Sequence, residues 1–120
     1  MSDDSQDLDR RQYPRVSAPM YCRPARRRLL RRRKVVDLSL GGMRVYSDEE
    51  FEIGTRLEID LLTADGDDFV TCLTEVTWVR TLTADAPAPF DVGLRFLEVP
   101  ERAQAMIEGL IRHALAREQA

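Results

Sequence analysis

The sequence predicts an all-β domain with one helix, namely a six-stranded antiparallel β-barrel followed by a C-terminal α-helix. Apolar and polar residues alternate through short segments up to about residue 96, which is the period of half-buried strands. Short connections separate these segments, and short connections favour antiparallel pairing. After Pro100 the apolar spacing changes to three and four residues, the period of an amphipathic helix.

Six strands and one helix follow from these patterns. Pro19 places an edge or a bulge in the first strand, and the turn residues Asp65, Gly66 and Asp67 join the fourth and fifth strands as a hairpin. The predicted strands span residues 16–23, 34–38, 43–46, 56–61, 69–80 and 90–96. The apolar residues of the helix are Ala103, Met106, Ile107, Leu110, Ile111, Ala114 and Leu115.

At 120 residues the chain is long enough for one domain. We predict a disordered tail over residues 1–9 and a single domain over residues 10–118. The first nine residues contain four acids and no base, the opposite of a secretory signal. No apolar run approaches the roughly 18 residues of a membrane span, so we expect a cytoplasmic protein.

The sequence contains no pattern that indicates catalysis or a metal site. Cys22 and Cys72 lie in strand-like segments and are expected to be buried free thiols, since neither belongs to a metal-binding spacing. His113, the only histidine, lies near the helix end with no neighbouring nucleophile to activate. We therefore expect no enzyme, no metal and no bound cofactor.

Charge is unevenly distributed along the chain. Residues 1–47 carry a balance of +7 and residues 48–120 a balance of −10, within a net charge of −3. The densest basic stretch, residues 23–34, has eight cationic side chains in twelve positions. The first half would attract an anion, whereas the acidic remainder would repel a long polyanion such as a duplex. This asymmetry favours a small anionic ligand.

Two short motifs contain residues suited to binding such a ligand. Residues 10–15 read RRQYPR, and residues 37–42 read DLSLGG. Arginine guanidinium groups bind phosphate and the edge of guanine. Asp37 can accept two N–H bonds, and Ser39 can donate to a phosphate or orient the turn. Gly42 would let backbone approach a ligand closely.

Together these motifs resemble the signature of the PilZ domain, a bacterial receptor family for cyclic di-GMP. Arg11 to Arg15 match its RxxxR motif, and Asp37 to Gly42 match its [DN]xSxxG motif. The segments VTWVR (76–80) and DVGLRF (91–96) are similar to late strands of the family. The resemblance covers roughly residues 10–115 and implies a six-stranded barrel with a C-terminal helix, in agreement with the periodicity.

The resemblance also implies roles for individual residues. Arg11 and Arg15 would bind guanine edges and phosphates, while Asp37 would accept from a guanine edge or hold an arginine. A basic residue at Arg10 implies an intercalated ligand dimer. The complete predicted cyclic di-GMP site contains Arg10, Arg11, Arg15, Asp37, Ser39 and Gly42, with Gly41, Arg44 and Trp78 as candidate rim residues. For Trp78 a place in the barrel core is the alternative.

The resemblance implies a switch in which ligand orders the N-terminal arm and changes the surface offered to an unknown protein partner. Two other functions are compatible with the sequence. The tract 23–34 could serve as the backbone groove of a nucleic-acid-binding β-barrel, although few aromatic residues accompany it. The chain could also be an adaptor that binds protein and ignores nucleotide.

Overall fold

A computed structural model of the chain describes residues 14–17, 19–25, 33–63 and 68–119. Within these ranges it has six strands and one helix, which confirms the predicted fold class. The strands are β1 (Met20–Pro24), β2 (Arg33–Leu38), β3 (Gly42–Ser47), β4 (Arg56–Thr63), β5 (Phe69–Thr81) and β6 (Phe90–Glu98), and the helix is α1 (Glu101–Gln119).

The described strands close into a barrel in the order β1-β2-β3-β6-β5-β4. Every neighbouring pair is antiparallel, and β1 with β4 completes the ring. The pairing of β4 with β5 confirms the predicted hairpin, whose turn residues lie outside the described part of the chain. Each of the six described strands therefore has a hydrogen-bonded neighbour on both sides, an arrangement that protects strand edges from pairing with another chain.

Inward-facing side chains fill the barrel. Because side chains alternate between the two faces of a strand, the apolar residues at every second position meet in one core. The core residues on the strands are Met20, Cys22, Val35, Leu38, Met43, Val45, Ile59, Leu61, Val70, Cys72, Val76, Val92 and Leu94. This pattern confirms the predicted alternation and leaves the intervening side chains on the outer face.

The first strand is shorter than predicted. β1 begins at Met20, after a bend at Pro19. Val16 is buried but forms an isolated bridge with Leu38, with backbone N···O distances of 2.9 and 2.8 Å in the two directions. A proline has no N–H to donate to a ladder, which explains why regular pairing stops between Val16 and Met20.

Helix α1 packs against the end of the barrel where β6 ends. Ala103, Ile107 and Ile111 are buried in the same core as the strands, and they recur at a four-residue spacing that keeps them on one face. Glu101 in the first turn and Arg117 in the last turn suit the helix dipole. No described helix is both long enough and apolar enough to cross a membrane.

The two cysteines are buried free thiols, as predicted. Burial raises the pKa of Cys22 to about 12 and that of Cys72 to about 11, because an apolar environment disfavours the thiolate. Both side chains face the inside of the barrel, Cys22 from β1 and Cys72 from β5. Their thiols therefore stay protonated and unreactive at neutral pH.

Trp78 does not lie in the barrel core, so the alternative prediction of a core position for this residue is wrong. The pairing of β5 with β6 shifts register between Val76 and Trp78. Val76 therefore faces the core, whereas Trp78 pairs with Gly93 on the outer face and is only half-buried. A β-bulge of this kind inserts one residue into a strand and reverses the side chains that follow, which simple alternation does not anticipate.

Candidate functional site

A second irregularity places Asp37 on the outer face of the barrel. The pairing of β2 with β3 shifts register between Val35 and Asp37, and beyond the shift Asp37 pairs with Arg44 and Leu38 with Met43. Leu38 and Met43 are buried in the core. Since neighbours along a strand face opposite sides, Asp37 and Arg44 lie together on the outer surface.

Arg15 contacts Asp37 directly. Its Nη1 donates to Oδ1 of Asp37 at 2.7 Å, and the two side chains are 36% and 23% exposed. The bridge from Val16 to Leu38 holds the backbone next to Arg15 in place. The last arginine of RxxxR thus meets the aspartate of DxSxxG. Arg10 and Arg11 lie outside the described residues.

This pair is accessible enough to exchange partners. A partly exposed ion pair contributes at most about 1 kcal/mol, because water and salt screen it. Arg15 and Asp37 can therefore each turn to a ligand group at low cost. The arrangement brings a guanidinium donor and a carboxylate acceptor to one point of the surface, as recognition of a guanine or a phosphate requires.

Ser39 shapes the turn between β2 and β3. Its backbone N–H donates to the carbonyl oxygen of Gly42 at 2.9 Å. Its Oγ donates to the same oxygen and accepts from the N–H of Gly41, both at 3.3 Å. The residue is buried. These bonds correspond to the turn-orienting role considered for Ser39, and its predicted bond to phosphate stays a prediction.

Gly42 has a packing reason to be glycine. A Cβ on this residue would lie 2.2 Å from the carbonyl oxygen of Leu94 on β6, far inside van der Waals contact. The close approach of β3 to β6 therefore requires glycine at this position. The predicted approach of a ligand to Gly42 is not needed to explain the residue and stays a prediction. Gly41 is exposed beside it, and its carbonyl accepts from Phe96.

From Asp37 a chain of ion pairs continues across the outer face. Nη1 of Arg44 lies 3.6 Å from Oδ2 of Asp37, and its Nε donates to both carboxylate oxygens of Asp91 at 2.9 and 3.0 Å. Nη2 of Arg80 donates to Asp91 at 2.7 Å. We call this set, Arg15, Asp37, Arg44, Asp91 and Arg80, the arginine ladder.

The arginine ladder connects four strands and the arm that precedes them. The hydrogen bond to Asp91 raises the pKa of Arg44 above its already high value, so the guanidinium remains charged. Asp91 is fully buried although it occupies an outward position, because its partners cover it. Sequence reasoning missed Asp91 and Arg80. Asp91 lies in the DVGLRF segment and Arg80 in the VTWVR segment, and neither residue belongs to a signature motif.

Trp78 lies beside the last arginine of the ladder. Its indole covers Gly93, where a Cβ would come within 2.1 Å of the indole Nε1. The guanidinium carbon of Arg80 lies 5.9 Å from the ring centroid, within the range of a cation–π contact. The candidate rim residues Arg44 and Trp78 are thus on one continuous outer surface with Asp37.

The described part of the basic tract is engaged elsewhere. Arg23 on β1 donates to Asp60 on β4, with an Nε···Oδ2 distance of 3.3 Å, and Arg33 pairs with Asp48. Residues 26–32 lie outside the described part of the chain. The two described arginines of the tract are therefore paired with acids rather than arrayed as an open cationic groove.

The sequence profile of the PilZ domain matches residues 9–113. This range covers nearly the whole chain, and the chain belongs to the PilZ domain family. No curated protein sequence matches the chain significantly. The six-stranded barrel and the C-terminal helix agree with this family match.

Solved structures of the same fold are similar to the chain. Escherichia coli YcgR in complex with c-di-GMP is 25% identical with a TM-score of 0.62, covering 92% of this chain and 47% of YcgR. K. pneumonia MrkH in its c-di-GMP complex is 19% identical with a TM-score of 0.70, covering 92% and 54%. The chain thus spans about half the length of each, and at the identity of MrkH the likeness concerns the fold.

Proposed function

We propose that the chain is a receptor for cyclic di-GMP that binds this second messenger through RxxxR (11–15) and DxSxxG (37–42). The observation that supports it most is the 2.7 Å contact between Arg15 and Asp37, which joins the two motifs. Family membership and the c-di-GMP complex of YcgR support the same ligand.

The chemistry of the site suits this ligand. Cyclic di-GMP combines two phosphates with two guanines, and a guanidinium can donate to phosphate, fork onto the O6/N7 edge of guanine, or stack on the base. We assign Arg11 and Arg15 to these contacts. Asp37 accepts from a guanine edge or holds Arg15, Ser39 orients the turn or reaches phosphate, and Gly42 completes the motif.

A dinucleotide fits the charge arrangement better than a long nucleic acid. Along the arginine ladder Asp37 and Asp91 alternate with the arginines. A polyanion that follows the surface would pass close to the partly exposed carboxylate of Asp37, and that contact is repulsive. A compact dianion can contact the arginines at one end and avoid this repulsion.

The proposed signal is a change at the N-terminal arm. On binding, the arm that carries Arg10 and Arg11 would become ordered over the ligand, and the altered surface would be read by a protein partner. The basic residue Arg10 suggests that two intercalated molecules occupy the site. As a receptor, the protein would release its ligand chemically unchanged.

Isothermal calorimetry with cyclic di-GMP tests the proposal, with GTP as the control. We expect saturable binding of cyclic di-GMP with two molecules per chain, no binding of GTP, and intact ligand on chromatography afterwards. A stoichiometry of one would contradict the ligand dimer only. Absence of binding, or equal binding of GTP, would overturn the proposed function.

A further inference from the structure

Asp91 is a buried carboxylate at a position that faces away from the barrel core. Its neighbours along β6, Val92 and the following Leu94, face the core, so Asp91 belongs to the outer face. A charged group removed from water is costly unless it is paired and hydrogen-bonded. Asp91 is fully paired, by Arg44 at both oxygens and by Arg80 at one.

The pairing fixes the orientation of both arginines. The Nε of Arg44 donates to Asp91, and its Nη1 lies 3.6 Å from Oδ2 of Asp37. Arg80 binds Asp91 through Nη2 while its side chain remains 63% exposed and lies over Trp78. Arginine side chains lose considerable conformational freedom when they bind, and a partner that orders them beforehand lowers that cost.

We propose that Asp91 is a positioning residue of the nucleotide site, which holds Arg44 and Arg80 ready to contact the ligand. The inference rests on the proposed function and extends its site beyond the two motifs. Arg15 and Asp37 form one end of the surface, while Arg80 and Trp78 form the other. The second end offers a cation and an aromatic face to an anionic purine nucleotide.

Simple electrostatics makes the opposite prediction. Asp91 is an anion, and removing it would strengthen the attraction of the surface for an anionic ligand. If Asp91 acts only through its charge, Asp91→Asn should bind cyclic di-GMP more tightly. If Asp91 acts by positioning, the same change should weaken binding, because Arg44 and Arg80 are released. The direction of the change in affinity therefore separates the two effects.

The chain contains a matched control. Asp60 on β4 is likewise fully buried at an outward position, and it accepts from Arg23 at 3.3 Å and from Thr71 at 2.7 Å. Its neighbours Ile59 and Leu61 face the core. Asp60→Asn removes a carboxylate with the same burial from β4, a strand that carries neither the motif aspartate nor a ladder arginine.

The experiment compares cyclic di-GMP binding by wild type, Asp91→Asn and Asp60→Asn in calorimetry, with folding checked by circular dichroism. We expect Asp91→Asn to lose affinity about fivefold or more, the lower end of the effect of one arginine-to-base contact. Asp60→Asn should stay within about twofold of wild type. Unchanged or tighter binding by Asp91→Asn, with wild-type binding intact, would overturn this inference and leave the proposed function standing.

A second variant keeps the test decisive if Asp91→Asn does not fold. Arg80→Met changes a mostly exposed side chain, and Arg23→Met is its control. We expect about a fivefold loss for Arg80→Met and none for Arg23→Met. Where Asp91→Asn does fold, adding it to Arg80→Met should cost less affinity than adding it to wild type, whereas its effect on stability should persist. Full wild-type affinity in Arg80→Met would overturn the inference, and failure of wild type to bind would overturn both proposals.

Discussion

Two regions of the barrel surface each hold a buried carboxylate paired with an arginine, and they differ in the residues to which that pair is linked. The motif wall is the outer face of β2, β3, β6 and the end of β5, where Asp91 is the buried carboxylate. The far wall is the outer face of β1, β4 and the start of β5, where Asp60 has that place. Each carboxylate is held by an arginine, and each wall has an arginine near an aromatic ring.

The difference lies in continuity. On the motif wall the ion pairs run on from Asp91 through Arg44 to Asp37 and Arg15, so that a buried charge is linked to accessible ones. On the far wall Asp60 contacts Arg23 and Thr71 on adjacent strands, and neither of these residues belongs to a signature motif. A buried carboxylate is therefore a structural feature by itself, and its link to an exposed motif is what indicates function.

The largest expected effect is on stability. Arg44→Met removes the partner that contacts both oxygens of Asp91 and should cost about 3 kcal/mol, because a buried charge is left undercompensated. Arg23→Met breaks one longer contact and leaves the bond from Thr71 to Asp60, so we expect about 1 kcal/mol. Urea unfolding measures both.

Arg95→Met is the control for these two variants, since it removes an exposed pair with Glu75 and should cost less than about 1 kcal/mol. An Arg23→Met variant as unstable as Arg44→Met would remove the energetic distinction between the walls.

Ligand affinity should respond to the motif wall alone. Arg15→Ala should lower affinity for cyclic di-GMP by about 1 to 3 kcal/mol, or about 5- to 150-fold, the range for a lost arginine contact to a base. Arg23→Ala, on the far wall, should bind within about twofold of wild type. Calorimetry on the two variants decides the matter, and equal losses would mean that the ligand does not distinguish the walls.

Alkaline pH should lower the free energy of unfolding, through two buried thiols in the core that both walls share. The thiols of Cys22 on β1 and Cys72 on β5 have pKa values raised from 9.0 to about 12 and about 11. Folding thus favours the protonated thiols. Their contribution to the free energy of unfolding is complete below pH 9, the unfolded pKa, and is lost as pH rises through the pKa values of the folded protein. Each thiol should cost about 1 kcal/mol per pH unit above its unfolded pKa.

Urea unfolding at a series of pH values from 8 to 10.5 measures this dependence. Cys22→Ala and Cys72→Ala should each flatten it by a similar amount, because the shared core couples the walls into one unfolding transition. A steep dependence that survives in the double variant would assign it to other groups.

The smallest effects concern the aromatic contacts. Trp78→Leu removes the ring next to Arg80, and Phe69→Leu removes the ring 5.5 Å from the guanidinium of Arg23. Beyond the area it buries, each cation–π contact should contribute about 0.5 to 1 kcal/mol. Only Trp78→Leu should also weaken cyclic di-GMP binding, measured by calorimetry. An equal loss of affinity in Phe69→Leu would contradict the prediction that the ligand contacts the motif wall alone.

Much of the fold could be predicted because its signals are local. Alternation and turn residues predicted the six strands and the change of period predicted the helix, since burial on one face of each element dictates those periods. The β-bulges next to Asp37 and Trp78 were not foreseen, because inserting one residue leaves little trace in a short apolar pattern. One of them explains why the core alternative for Trp78 was wrong.

The site could be predicted only where a motif marks it. Asp37 and Ser39 were identified by their spacing, and Arg15 by its own motif. Asp91 has no such marker, since its partners Arg44 and Arg80 are 47 and 11 residues away, and pairings over such separations are set by strand order. The only sequence signal for Asp91 is its place between the alternating apolar residues of β6. An ordinary exposed strand residue has the same pattern, so this signal does not indicate a buried site residue.

Two-dimensional amide NMR during a titration with cyclic di-GMP tests the central claim most directly, because it reports on both walls in one sample. We predict that the largest shifts fall on Asp37, Gly41, Arg44, Gly93 and the indole N–H of Trp78, the sole tryptophan. Signals of Arg23, Asp60 and Thr71 should remain nearly unchanged. Largest shifts on the far wall, with the motif wall unaffected, would contradict the account.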